Sequence, residues 1–309
     1  MPFDRLIEKI TALQNPTVVG LDPSPERIPA FLRDAAYERY GETPEGAAEA
    51  VLAFNKGIID ALYDIVPAVK PQCAFYERLG WQGMRALHET IRYARAKGMF
   101  VIADGKRNDI GSTMKAYAEA WLGAVCTGGA PYEPFGADAL TVGGYLGRDG
   151  IAPLLDACKD FDKGIFVLVK TSNPSSGELQ DVMTGDGPVY RRMGLLCEQW
   201  GACLPGRYGY SAVGAVVGAT YPSQLTELRA LLPHTFLLVP GYGAQGGSAA
   251  DAAKAFDQNG LGAIVNSSRA ILYAYEKEGC SGRDYAAAAR REALRMRSEL
   301  TAEIGKMKF

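Results

Sequence analysis

The sequence predicts an α/β protein of the (β/α)8 TIM-barrel class, a closed parallel eight-stranded barrel, and three observations carry that prediction. Eight short runs rich in Val, Ile and Leu recur along 309 residues. The runs are continuously apolar rather than alternating, as expected of parallel strands covered on both faces. Stretches with apolar residues at helical spacing separate them, and eight strand and helix pairs in a chain of this length fit a closed barrel better than an open doubly wound sheet.

Phe3, Leu6, Ile7, Ile10 and Leu13 follow i, i+3, i+4 spacing and predict an amphipathic helix packed against something larger. The strands follow as TVVGLD (17–22), IVPAVK (65–70), MFVIAD (99–104), ADALTVGG (137–144), GIFVLVK (164–170), VGAVVGAT (213–220), TFLLVP (235–240) and GAIVNS (262–267). Helical periodicity fills the intervals, for example in AAEAVLAFNKGIIDALYDI, WQGMRALHETIRYARAKG and SQLTELRALL. Two connections are longer: 23–48, with the three prolines of DPSPERIP and a PEG turn, and 171–188, rich in Ser, Gly, Pro and Asp. Both are expected as extended loops at the barrel mouth, where loops after strands build the active site. The final segment places Met296, Leu300, Ile304 and Met307 on one side and predicts a helix closing the barrel wall. Residues 1–309 are thus expected to form one domain.

Composition excludes several functions. With 33 Lys+Arg against 35 Asp+Glu, the net charge of −2 gives no footprint for a polyanion, so nucleic acid is not an expected partner. A phosphorylated metabolite remains compatible, because one site needs only one local cation. The six cysteines, Cys73, Cys126, Cys158, Cys197, Cys203 and Cys280, form no CxxC pair, so neither a zinc site nor a disulfide framework is expected, and a reducing cytoplasm is the default. MPFDRLIEKI carries charge where a signal peptide needs an apolar run, and no apolar stretch approaches the roughly 20 residues of a membrane span. The two histidines, His88 and His234, fall in helix-like or connecting segments, which leaves Lys, Asp, Ser and backbone groups to carry chemistry.

The most informative stretch is MFVIADGKRNDIGST. Asp104 and Lys106 are two apart at a strand end and so point to the same side, which in a barrel can be the interior mouth. Asp109 lies beyond the strand, where periodicity gives no direction. A mixed-charge surface loop is the alternative reading. Other strands also end in polar residues: Asp22, Lys70, Ser172 and Arg269. Burying ionisable groups beside apolar strands is costly without partners, so charges recurring at one end of several strands point to a convergent cluster. Gly241-x-Gly243-x-x-Gly246 matches the dinucleotide fingerprint literally, but only one strand follows it, leaving no room for the rest of a dinucleotide-binding sheet. It is read instead as a flexible loop whose backbone N–H groups, with Ser267, Ser268 and Arg269, approach an anion; a plain glycine-rich turn is the alternative.

In these motifs the chain resembles the orotidine 5′-monophosphate decarboxylase family, in its longer bacterial-type subgroup. GLDPSPERIP, VKPQCAFYERLG, ADGKRNDIGST, VKTSNPSSGELQ, PGYGAQGG and NSSRAI occur in the family's order at the ends of the expected strands. The resemblance implies decarboxylation of a nucleotide substrate with no cofactor and no metal. It implies that Lys106 protonates C6, that Lys70 and Asp104 form the charged network beside it, and that Asp109 reaches into the neighbouring subunit's site, which requires a homodimer. Thr113 would also come from the partner and help hold the ribose, whose hydroxyls Asp22 and Lys70 would bind. Ser172 corresponds to the pyrimidine-binding serine, Gln245 to the glutamine linking base and phosphate, and Arg269 to the phosphate-clamping arginine, with Gly246 and Ser268 beside them.

Two positions depart from the family's pattern: Ser268 stands where many members have Gly, and Gly143-Gly144-Tyr145 where Asn-Pro-Tyr is common. The nearest rival is a metal-dependent sugar-phosphate enzyme sharing D-x-K-x-x-D, in which a carboxylate ends the second strand; Lys70 at that position is a poor metal ligand. A Schiff-base aldolase using Lys106 or Lys170 and a non-catalytic phosphate-binding barrel are the other rivals.

Overall fold

Strand pairing runs unbroken around a ring in the structure, a computed structural model that describes residues 1–243, 246–279 and 282–308. Eight strands form the ring: β1 (Thr17–Leu21), β2 (Ala68–Pro71), β3 (Phe100–Arg107), β4 (Ala139–Val142), β5 (Gly164–Lys170), β6 (Val213–Val217), β7 (Leu237–Val239) and β8 (Ala263–Ser267). Each pairs in parallel with its sequence neighbours, and β1 closes on β8 with Thr17 opposite Val265. All eight apolar runs read from the sequence are strands of the barrel.

The strands are apolar on both faces because each face meets a different core. Inward residues Val18, Ala68, Phe100, Ile102, Ala139, Phe166, Val216, Leu238 and Ile264 fill the barrel interior. The N-terminal helix, Pro2–Leu13, plugs this interior from below with buried Phe3, Leu6, Ile7 and Ile10. The Phe3 ring centroid lies 4.9 Å from that of Phe166 and 5.2 Å from that of Phe236. Outward residues such as Val19, Val69, Val101 and Val167 pack instead under the surrounding helices. With its floor closed, the barrel opens only at the carboxyl ends of the strands, where the polar residues collect.

The closing helix, Tyr285–Ile304, buries Met296 and Leu300, while Met307 is buried beyond the helix end. The connection 23–48 differs from the expected loop: it contains a 3-10 turn, Pro25–Arg27, and an 11-residue helix, Ala30–Tyr40. That helix buries only Ala36, so its periodicity is faint in the sequence. The 171–188 connection carries a 3-10 turn, Pro174–Ser176, a one-turn helix, Gly177–Gln180, and a short hairpin of Met183–Thr184 with Gly187–Pro188. Among the described residues no helix is long and apolar enough to cross a membrane, and the five described cysteines are free thiols.

Candidate active site

At eight residues β3 is the longest strand of the barrel, and its last residues are irregular. Its register against β4 shifts between Ala103 and Arg107, and Lys106 takes a left-handed backbone with φ 46°. That conformation costs an L-residue roughly 1–2 kcal/mol, a strain that persists only where the surroundings impose it. The bulge brings the Lys106 Nζ to 2.7 Å from Asp104 Oδ1. From β2, the Lys70 Nζ lies 2.6 Å from Asp104 Oδ2. Thr141 of β4 donates from Oγ1 to Asp104 Oδ1 at 2.8 Å and accepts from the Lys106 backbone N–H at 3.0 Å. Gln72 Nε2 completes the set at 3.0 Å from Oδ2.

Asp104 is therefore a buried carboxylate with four hydrogen-bonding partners, two of them ammonium groups. Burial alone would raise its pKa, but Lys70 and Lys106 outweigh that effect and hold the carboxyl well below its ordinary range. Burial would likewise push Lys70 down, yet Asp104 and then Asp22 raise it above the ordinary lysine value. Asp104 and Lys70 are both charged at neutral pH in consequence.

This cluster forms one wall of a cavity of about 330 Å³ at the barrel mouth. Asp22, Ser172, Ser268 and Arg269 also line it, over an apolar floor of Leu168, Val216 and Leu238. Asp22 Oδ1 and Asn266 Oδ1 are both buried without a hydrogen-bond partner among the described residues, so the cavity holds two acceptors in need of donors. Arg269 is exposed at the first turn of the helix Arg269–Leu272, and among the described residues no carboxylate pairs with it. Ser268 Oγ accepts from Asn266 Nδ2 at 3.3 Å and sits directly over β1: a Cβ added at Gly20 would lie 1.9 Å from it. Gly20 is thus the counterpart of the serine that departs from the family's glycine. At the other departure, the Asn108 side chain lies 3.1 Å from where a Cβ on Gly143 would stand.

Seven of the eleven expected site residues, Asp22, Lys70, Asp104, Lys106, Ser172, Ser268 and Arg269, line this cavity. Asp109, Thr113 and Gly246 are not among its lining residues, and Gln245 lies outside the described residues. Asp109 Oδ1 accepts from the Ile110 N–H at 2.8 Å, and Thr113 is exposed on the helix Gly111–Trp121. The Gly-rich loop spends several N–H groups on itself: Gly243 on Gly247 O, Gly246 on Gly243 O and Gly247 on Gly241 O. Gly241, Gly243 and Gly246 all have positive φ, which accounts for the spacing of the motif without any dinucleotide.

Thr141, Gln72 and Asn266 were not singled out in the sequence. Two of them carried a signal. Thr141 follows inward Ala139 by two residues and Asn266 follows inward Ile264 by two, so each is a polar residue on the barrel-facing side of an apolar strand. Gln72 stands two residues beyond Lys70 but just past the end of β2, outside the strand on which that alternation is read.

Comparison with known proteins gives consistent matches. The family model of the orotidine 5′-phosphate decarboxylase / HUMPS family matches residues 18–280. An orotidine 5′-phosphate decarboxylase of Rhodopirellula baltica is 50% identical over 262 residues, covering 85% of each chain. One of Caldicellulosiruptor saccharolyticus is 42% identical over 273 residues, covering 88% of this chain and 90% of the relative. The solved structure of Leishmania donovani OMP decarboxylase superposes with a TM-score of 0.70 at 30% identity, covering 96% of this chain and 98% of that one.

Proposed function

This chain belongs to the orotidine 5′-phosphate decarboxylase / HUMPS family and is a carboxy-lyase converting orotidine 5′-monophosphate to UMP in pyrimidine synthesis, and we propose that Lys106, Asp104 and Lys70 carry the chemistry. The observation supporting this reading is the grip of two ammonium groups on opposite oxygens of one buried carboxylate at the cavity wall.

The bond from C6 to the carboxylate breaks heterolytically, CO2 leaves, and the electron pair remains at C6 in an orbital orthogonal to the ring π system. No delocalisation stabilises that pair, so fixed positive charge must. The Lys106 ammonium supplies it and then transfers its proton to C6, giving UMP and a neutral amine that regains a proton from water. Asp104, held ionised by its neighbours, serves as an orienting acceptor rather than an acid. The side chain of Lys106 is 46% exposed, which gives it the contact with solvent that reprotonation needs.

The rest of the cavity suits a nucleotide. Asp22 Oδ1, buried and unpartnered, accepts a ribose hydroxyl beside Lys70, and Ser172 binds the pyrimidine. Arg269 and Ser268 take the phosphate, and Gln245, next to Gly246 in the chain, is assigned the link between base and phosphate. The functional unit is a homodimer in which Asp109 and Thr113 of the partner subunit complete each site. In support, both lie outside their own subunit's cavity, and exposed Ile110 lies between them in the chain, an apolar side chain suited to an interface. Residues 1–309 act as one catalytic unit in the cytoplasm, a setting that suits the free cysteines.

Incubation with orotidine 5′-monophosphate in the presence of a chelator, followed by absorbance and product identification, tests the reading. Conversion to UMP is expected; no turnover overturns it. Borohydride added during turnover should trap no adduct, and a covalent adduct on a lysine would support the Schiff-base alternative instead.

A further inference from the structure

Lys170 ends β5 in a way that strand alternation does not anticipate. Leu168 lines the cavity, so Lys170, two residues on, should face it too. The register between β5 and β6 prevents this: Leu168 pairs with Val216, but the next pair is Lys170 with Val217, and Val169 is absorbed in a bulge. Val217 belongs to the outer core, and Lys170 follows it there, away from the residues lining the cavity.

There the lysine is completely buried. Its Nζ lies 2.8 Å from Asp181 Oδ1 and 3.0 Å from Ser176 Oγ, and stands 4.4 Å from the centre of the Tyr221 ring. Ser176 and Asp181 belong to the connection after β5, and Tyr221 to the one after β6. The cavity-lining Ser172 and Asn173 are strung between Lys170 and Ser176. The same loop is braced at other points: the Thr171 N–H donates to Gln180 Oε1 at 2.9 Å, Gln180 Nε2 to Thr171 Oγ1 at 2.8 Å, and Tyr221 OH to Asn173 O at 3.3 Å. A buried ammonium must keep its partners, so it dictates where Ser176 and Asp181 lie and fixes the path of the residues between.

We propose that Lys170 is a positioning residue that folds the loop after β5 around its ammonium and thereby sets Ser172 and Asn173 against the pyrimidine end of the substrate. The proposal rests on the assignment of Ser172 to the pyrimidine. It also removes Lys170 as a carbonyl-reactive lysine, since its amine is spent outside the cavity.

The test compares ligands with and without the base. In Lys170→Met and Asp181→Asn, the Kd of UMP should rise about tenfold, the worth of one or two well-placed hydrogen bonds. The Kd of ribose 5-phosphate, which engages the ribose and phosphate residues but not Ser172, should stay within about twofold. Parallel weakening of both ligands would show a merely structural role and overturn the proposal, as would no change in either. The side chain of Asp181 is 40% exposed, so Asp181→Asn decides the matter if Lys170→Met fails to fold. Turnover by the unsubstituted protein is measured separately: its absence would refute the decarboxylase reading, whereas the ligand comparison judges Lys170.

Discussion

Lys106 and Asp104 are joined by a 2.7 Å ion pair across a sharp gradient of burial, the side chain of the lysine being 46% exposed and that of the aspartate 8%. The buried partner fixes the charge, and the exposed one can exchange its proton with water. Lys106→Ala should therefore lower kcat by about 10⁴-fold or more, since it removes both the proton donor and the electrostatic stabiliser. UMP should still bind, as measured by calorimetry. Turnover within tenfold of the parent would end the assignment of Lys106 as the acid.

Asp104 links this site to stability. Its carboxyl is held below the ordinary value, so its contribution is complete above about pH 5 and is lost as acid protonates it. Lys70, raised above the ordinary lysine value, loses its contribution only as pH climbs through that raised value. Asp104→Asn leaves a buried ammonium without its counter-charge and should cost about 3–5 kcal/mol at pH 7. Urea unfolding of both proteins should show the gap narrowing below about pH 4. A gap that stays constant down to pH 3 would contradict the ion-pair account.

Arg269 lines the same cavity as the charged cluster with no carboxylate to neutralise it among the described residues. Arg269→Ala should reduce kcat/KM for the nucleotide by about a hundredfold or more, and leave turnover of the phosphate-free nucleoside nearly unchanged. Equal losses on the two substrates would place the phosphate elsewhere.

Asp109 does not line the cavity of its own subunit. If it serves the partner's site, Lys106→Ala and Asp109→Ala homodimers should each be inactive, but mixed and re-formed dimers should regain about a quarter of the parental activity per site, because half the dimers are hybrid and one of their two sites is intact. No recovery on mixing, with subunit exchange confirmed by mass spectrometry, would remove Asp109 from the partner's site.

Gly20 offers a test independent of catalysis. Its missing Cβ is the space that Ser268 Oγ occupies. Gly20→Ala should destabilise the protein by about 1–3 kcal/mol, and Ser268→Gly in the same chain should restore much of that loss. Additive effects in denaturant unfolding would show that the two positions are not in contact.

The sequence by itself determined the barrel and most of its chemistry. Eight apolar runs without alternation demand cover on both faces, and polar residues at the ends of several runs must converge where the strands end together, so Lys70, Asp104, Lys106 and Arg269 were legible as a group. The helix Ala30–Tyr40 was not, because it buries almost nothing and follows three prolines. The tertiary structure alone decided where each end residue points. Alternation is a property of one strand, whereas a bulge arises from the pairing of two. The bulge before Arg107 brings Lys106 onto Asp104 through a left-handed residue, and the bulge at Val169 turns Lys170 out of the mouth. Asp109, beyond the last paired residue, is placed by a loop that no periodicity describes. The unpartnered acceptors of Asp22 and Asn266 became visible only once every neighbouring donor was in position.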